Sequence, residues 1–165
     1  MPCYLLYGED DFSIREEFQG ISTGLGRAEE LITNTNTFDA DNLRFGELSL
    51  ACQAMPFLGS SRLVIVHGLG KRLAMGNRRN QKSDDGPKAL KEWATLSDLI
   101  SGLPPTTALI FIDAVLDARN PLVKAVRGNG ELRAFAAPKG AELEAWIAGR
   151  AREKGTTIAL PAVQL

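Results

Sequence analysis

A strand, a glycine and a run of acids at the start of this chain raise one chemical question: can they hold a phosphate? The strand reads Cys3-Tyr4-Leu5-Leu6-Tyr7 and ends at Gly8, with a helical stretch under way by Phe12. A phosphate loop of the form GxxxxGK[ST] at such a place cradles phosphates with backbone amides. Its lysine reaches them and its hydroxyl holds magnesium. Counted from Gly8, the second glycine is Ser13, the lysine is Ile14 and the hydroxyl is Arg15. Glu9, Asp10 and Asp11 would also set three carboxylates where a polyanion must approach, and like charges at close range repel. Arg15 is a cation nearby, but a planar guanidinium differs from the point charge of an ammonium. The set Gly8, Ser13, Ile14 and Arg15 reads as a degenerate, non-functional phosphate loop.

The remaining reactive side chains are few. Leu63-Val64-Ile65-Val66 ends at His67 with no carboxylate pair, and Ala108 to Ile112 ends at Asp113, which Ala114 follows. A lone Asp at a strand end reads as a turn or cap residue, and His67 as a partly buried, hydrogen-bonded one. Cys3 and Cys52 lack CxxC spacing, and with a single histidine they make no recognisable zinc site. They read as buried free thiols. No nucleophile motif, catalytic carboxylate pair or dinucleotide fingerprint is present, so neither cofactor nor metal is expected.

The elements that must position these groups alternate between strand and helix. Strands are read at Cys3–Tyr7, Leu31–Phe38, Arg62–His67, Thr107–Asp113 and Glu131–Ala136. Helices are read from Asp10 or Asp11 until Gly20, Gly24 and Gly26 break the first. The next runs from Asp39 or Asp41 to Met55, another from about Pro87 to Ser101, and a short one starts at Pro121. Residues 68–86 read as a loop. Such alternation predicts an α/β fold with an open, mainly parallel five-stranded sheet and helices on both faces. Pro138-Lys139-Gly140 reads as a boundary. It divides a domain of residues 1–138 from residues 139–165, the start of a small helical domain with a helix at Ala141–Lys154. Pro161–Leu165 resembles a helix start cut short, the expectation for an N-terminal piece of a longer protein.

With 165 residues, 44% hydrophobic and 24% charged, the chain has the composition of an ordinary globular protein. No apolar run approaches the length of a membrane span and no leader opens it, so a cytoplasmic location without membrane contact is expected. A net charge of −1 excludes a strongly cationic nucleic-acid binder. One basic cluster stands out: Lys71, Arg72, Arg78, Arg79 and Lys82. It reads first as a solvated loop and, as a minor hypothesis, as a DNA contact.

Between Met55 and the strand at residue 62 lies an apolar pair, Phe57-Leu58, behind Pro56 and ahead of Gly59-Ser60-Ser61. Such a pair is either core or a docking wedge. Here the sequence resembles a known family. Tyr4 to Phe12, Met55-Pro-Phe-Leu-Gly-Ser-Ser-Arg62, Leu109-Ile-Phe-Ile-Asp113, Asp117-Ala-Arg-Asn-Pro-Leu122 and Leu143-Glu-Ala-Trp-Ile147 are similar, in order and spacing, to the delta subunit of the bacterial DNA polymerase III clamp loader. The resemblance implies a P-loop NTPase or AAA+-like domain that neither binds nor hydrolyses ATP. It implies binding to the sliding clamp (the beta subunit) and opening of that ring for loading onto primed DNA. Other clamp-loader subunits would join through further C-terminal domains, and DNA would be met only indirectly or within the assembly. The family's adjacent apolar pair, which enters a pocket on the clamp, falls on Phe57 and Leu58, in an order reversed from the Leu-Phe of some members, with Met55 and Pro56 shaping the approach. Two competing readings remain: an atypical P-loop ATPase using Arg15 and Asp113, and a Rossmann-like interaction domain with another partner.

Overall fold

The structure, a computed structural model, describes residues 3–57, 59–79, 92–153 and 155–156. The chain forms two compact units, Met1–Phe135 and Ala136–Leu165. In the first, β1 (Cys3–Gly8), β2 (Thr35–Asp39), β3 (Arg62–His67), β4 (Thr107–Asp113) and β5 (Glu131–Phe135) form one sheet. The strand order is β2-β3-β4-β1-β5 and every pairing is parallel. The helices are α1 (Asp11–Leu25), α2 (Ala28–Asn34), α3 (Phe45–Gln53), α4 (Leu69–Arg79), α5 (Leu96–Ser101) behind a 3-10 turn at Trp93–Thr95, and α6 (Pro121–Val126).

Side chains alternate along a strand, so the central strands feed two cores. Cys3, Leu5, Val64, Val66, Leu109 and Phe111 pack with Leu48, Cys52, Leu69, Leu73, Trp93, Leu96 and Leu122, on the side of α3 to α6. Leu6, Leu63, Ile65, Ala108 and Ile110 pack with Ile14, Phe18, Ile21, Leu25 and Leu31, on the side of α1 and α2. Helices therefore cover both faces. Among the described residues no helix is long and apolar enough to cross a membrane.

Several local expectations change. Helix α1 continues through Gly20 and Gly24 as far as Leu25. A glycine in a helix interior costs about 1 kcal/mol relative to alanine. The stripe Ile14, Phe18, Ile21 and Leu25, set on the sheet, outweighs two of them. The single strand read over 31–38 is a helix, α2, running directly into β2. Thr33 and Asn34 donate from their side chains to the Glu30 carbonyl and Thr35 to the Leu31 carbonyl, local bonds that close the helix end. Helix α3 starts after Arg44 rather than at Asp39 or Asp41. The Glu47 carboxylate accepts the Arg44 N–H at 3.0 Å, and the helix ends at Gln53. Residues 69–79, read as loop, are helix α4. Its buried Leu69 and Leu73 are one turn apart and face the first core.

In the second unit, α7 spans Ala141–Glu153 with Glu142 and Glu144 in its first turn and Arg150 and Arg152 in its last. That distribution opposes the helix dipole at both ends. Lys154 and Pro161–Leu165 lie outside the described residues, as do Pro87 to Lys91 of the helix expected to end at Ser101.

Cys3 and Cys52 are free and fully buried. Burial pushes the Cys3 thiol up to about 12, with the Cys52 thiol adding to the effect. Burial likewise pushes Cys52 up to about 12, opposed by the Arg62 charge. Labelling of the native chain by a thiol reagent at pH 8 is expected to run on the order of a thousandfold slower than for a free cysteine. Unfolding in guanidinium should restore the ordinary rate; fast labelling of the folded chain would contradict the burial.

Candidate functional site

The connection from α3 to β3 leaves large apolar side chains in water. Met55 is 87% exposed and Phe57 67% exposed, while Pro56 is half-buried. Leu58 lies outside the described residues. Leu50 on α3 and Ile32 on α2 are also exposed. Leaving a Phe or Met side chain in water forgoes roughly 1.5–3 kcal/mol that burial would provide.

The backbone beneath those side chains is held from two sides. Asn34, the last residue of α2, is fully buried. Its Oδ1 accepts the Phe57 N–H at 2.6 Å, and its Nδ2 donates to the Phe57 carbonyl at 2.8 Å and the Glu30 carbonyl at 2.8 Å. Arg62, the first residue of β3, donates to the Ala51 carbonyl at 2.8 Å, the Met55 carbonyl at 3.5 Å and Asn36 Oδ1 at 2.5 Å. Sequence reading missed both residues as parts of this site. A cation opening a β-branched strand was a signal for Arg62; nothing in Thr33-Asn34-Thr35-Asn36 singles out Asn34.

The region after β1 has a different geometry. Gly8 has a positive φ of 152°, and a Cβ there would come within 1.9 Å of the Phe135 carbonyl oxygen. That oxygen accepts the amides of Glu9 at 2.9 Å and Asp10 at 3.3 Å. A phosphate cradle needs such amides free. The first turn of α1 is likewise occupied: Asp10 Oδ1 accepts the Ser13 N–H at 3.0 Å and Oδ2 the Ser13 hydroxyl at 2.5 Å. Ile14, at the lysine position, is buried in the second core. Arg15 lines a cleft of about 380 Å³ with Asp11, Thr37, His67 and Ile112. His67 is exposed there, contrary to the partly buried reading, because it is the last residue of β3 and its side chain stands beyond the core layer.

Asp113 belongs elsewhere. Its buried carboxylate accepts the Gly70 N–H at 2.8 Å and the Lys71 N–H at 3.1 Å, and so caps α4. Burial raises its pKa; the two amides and the charges of His67 and Lys71 work against that rise. Asp113 lines a second cleft, of about 520 Å³, with Lys71, Met75, Val115 and Arg119. Arg15 and Asp113 thus line separate clefts.

The basic cluster is dispersed in role. Lys71 faces that second cleft. The Arg72 guanidinium donates to the Ala40 carbonyl and, at 2.6 Å, to the Leu43 carbonyl, and lies 5.9 Å from the Trp93 ring centroid. Arg78 and Arg79 fall in the last turn of α4; their side chains, and all of Lys82, lie outside the described residues. Among the described residues no group of three or more His, Cys, Asp or Glu side chains gathers to hold a metal.

Comparison with known proteins adds to this geometry. The sequence pattern of the family described as DNA polymerase III, delta subunit, matches residues 4–134. The chain is similar to the DNA polymerase III subunit delta of Bacillus subtilis (strain 168), 25% identical over 128 residues, which are 76% of this chain and 35% of that protein. Among solved structures it is similar to the Bacillus subtilis DNA clamp loader delta protein, with a TM-score of 0.72 and 21% identity over 99% of this chain and 46% of that one. A gamma subunit-related protein of Thermotoga maritima is similar with a TM-score of 0.48 and 14% identity, over 92% of this chain and 47% of that one. The chain spans about a third of the curated relative and just under half of each solved structure.

Proposed function

Because this chain belongs to the DNA polymerase III delta subunit family, we propose that it is the clamp-engaging part of a clamp-loader subunit. In this reading it binds the sliding clamp through Met55, Pro56, Phe57 and Leu58 and helps to open the ring for loading onto primed DNA. It carries no catalysis of its own. Other loader subunits supply ATP hydrolysis and join through domains beyond this chain, and DNA is met within the assembly.

The observation that supports this reading best is Phe57, two-thirds exposed on a backbone bonded at both its N–H and its C=O. A core residue would be buried, and an idle surface residue would not need its backbone fixed. Exposed apolar side chains on a backbone held by hydrogen bonds suit an interface in which a few residues carry most of the energy. The absence of catalysis is supported by the amides of Glu9 and Asp10, both taken by Phe135, and by Ile14 in the core.

Calorimetric titration of the 165-residue chain with the sliding clamp of the same organism tests the proposal. Saturable binding is expected; a folded chain that gives no binding would sink it. Titration with ATP and magnesium is expected to give no binding heat. Magnesium-dependent saturation would instead favour the atypical ATPase, although Arg15 and Asp113 line different clefts.

A further inference from the structure

We propose that Asn34 is the positioning residue of the clamp contact: its buried amide holds the Phe57 backbone and so fixes the direction in which its side chain leaves the chain. The partner in this inference rests on the clamp-binding reading above; the holding contact rests on geometry alone.

An Asn side chain carries the donor and acceptor of a peptide group. Here it uses them as a neighbouring strand would, accepting the Phe57 N–H and donating to the Phe57 C=O. Its second N–H goes to the Glu30 carbonyl one turn back in α2, which fixes the amide in its own place. The side chain is fully buried, so no solvent competes for it. Gly59 lies close to the same amide: an added Cβ there would stand 3.1 Å from Asn34 Nδ2. Met55 has a separate tether through Arg62.

Water could satisfy the Phe57 backbone on an exposed connection without any protein partner. Phe57 itself adds little to the core, being 67% exposed. The buried amide therefore has its main consequence for where the phenyl ring stands. A backbone fixed in advance spares the ordering cost that a mobile connection incurs on binding.

The experiment compares the parent chain with Asn34→Ala, reading amide hydrogen exchange and the rates of binding to the sliding clamp. In the parent, the Phe57 amide is expected to be protected. In Asn34→Ala it should exchange at least about tenfold faster while β3 and β4 amides keep their protection. Clamp affinity should fall roughly tenfold, mostly through slower association, because only a fraction of molecules then present the competent connection. Asn34→Asp keeps the shape and the acceptor but turns an oxygen toward the Phe57 and Glu30 carbonyls, so it should not restore parental protection or binding.

A Phe57 amide that exchanges at the free-peptide rate in the folded parent overturns the inference, whether or not the variants fold. A variant that releases the amide yet binds as fast and as tightly as the parent overturns it too, as does a loss of protection spread evenly over β3 and β4. A parent without clamp affinity removes the clamp reading itself, which is a different failure from equal binding by parent and variant.

Discussion

Replacing Phe57 and Leu58 together by alanine is expected to weaken sliding-clamp binding by at least about a hundredfold, given roughly 1.5–3 kcal/mol for each side chain buried at the interface. The folded state should be little affected by the Phe57 half of the change. A side chain two-thirds exposed leaves no cavity when it is cut back to alanine, and its backbone bonds to Asn34 do not involve the ring. Phe57→Ala alone should cost about tenfold or more in affinity with an unchanged unfolding midpoint. The midpoint separates the two roles an apolar residue can have. A core residue loses stability on truncation, by about 3–5 kcal/mol for Phe, whereas a wedge loses binding. A Phe57→Ala chain with parental affinity and a markedly lower midpoint would place the residue in the core and remove the wedge.

Asp113→Ala should destabilise the fold by about 3 kcal/mol at neutral pH without touching the clamp contact directly. Two backbone amides at the start of α4 lose their acceptor at once, and a buried donor left unpaired costs about 1–3 kcal/mol. Asp113→Asn should rescue only part of this, because its amide can accept from one of the two N–H groups while its NH2 opposes the other. The pH dependence is distinctive. The Asp113 pKa is raised from its reference value of 3.8 by burial, so the folded chain holds this proton more tightly than the unfolded one. The associated stability is fully present below about pH 3.8 and is lost as pH rises through the folded value. The gap between parent and Asp113→Ala should therefore be widest in acid and narrow toward neutrality. An ion-paired carboxylate would give the opposite slope. Guanidinium unfolding midpoints across pH 4–7 decide between them.

Much of the architecture was legible from residue types. Leu63-Val64-Ile65-Val66 and Ala108-Leu109-Ile110-Phe111 are continuous apolar runs, and only a strand covered on both faces buries such a run. Pro121 announced the short helix α6; the structure adds its cap, Asn120, whose Oδ1 accepts the Leu122 N–H at 2.9 Å. The departures from a phosphate-loop pattern at Ser13, Ile14 and Arg15 were also legible, since they are a matter of which side chain stands at which position. Helix α4 was not. Its composition is that of a loop, and it is helical because Leu69 and Leu73 reach a core built from distant strands and because a carboxylate 43 residues after Gly70 closes its first turn. Helix α2 escaped for a related reason: its last turn is closed by side-chain bonds from Thr33, Asn34 and Thr35, and the threonines favour extended chain when nothing packs on them.

The candidate site divides the same way. The sequence by itself determined that an apolar pair follows Pro56, that the phosphate-loop positions carry the wrong groups, and that a resemblance to a family runs along the chain. Those are properties of residue identity and order. Only the tertiary structure decided that Met55 and Phe57 face water, and that Asn34 and Arg62, 23 residues before Phe57 and 7 after Met55, hold their backbone. Exposure and hydrogen-bond pairing depend on which segments the folded chain brings side by side, and parallel strands bring together residues far apart in sequence.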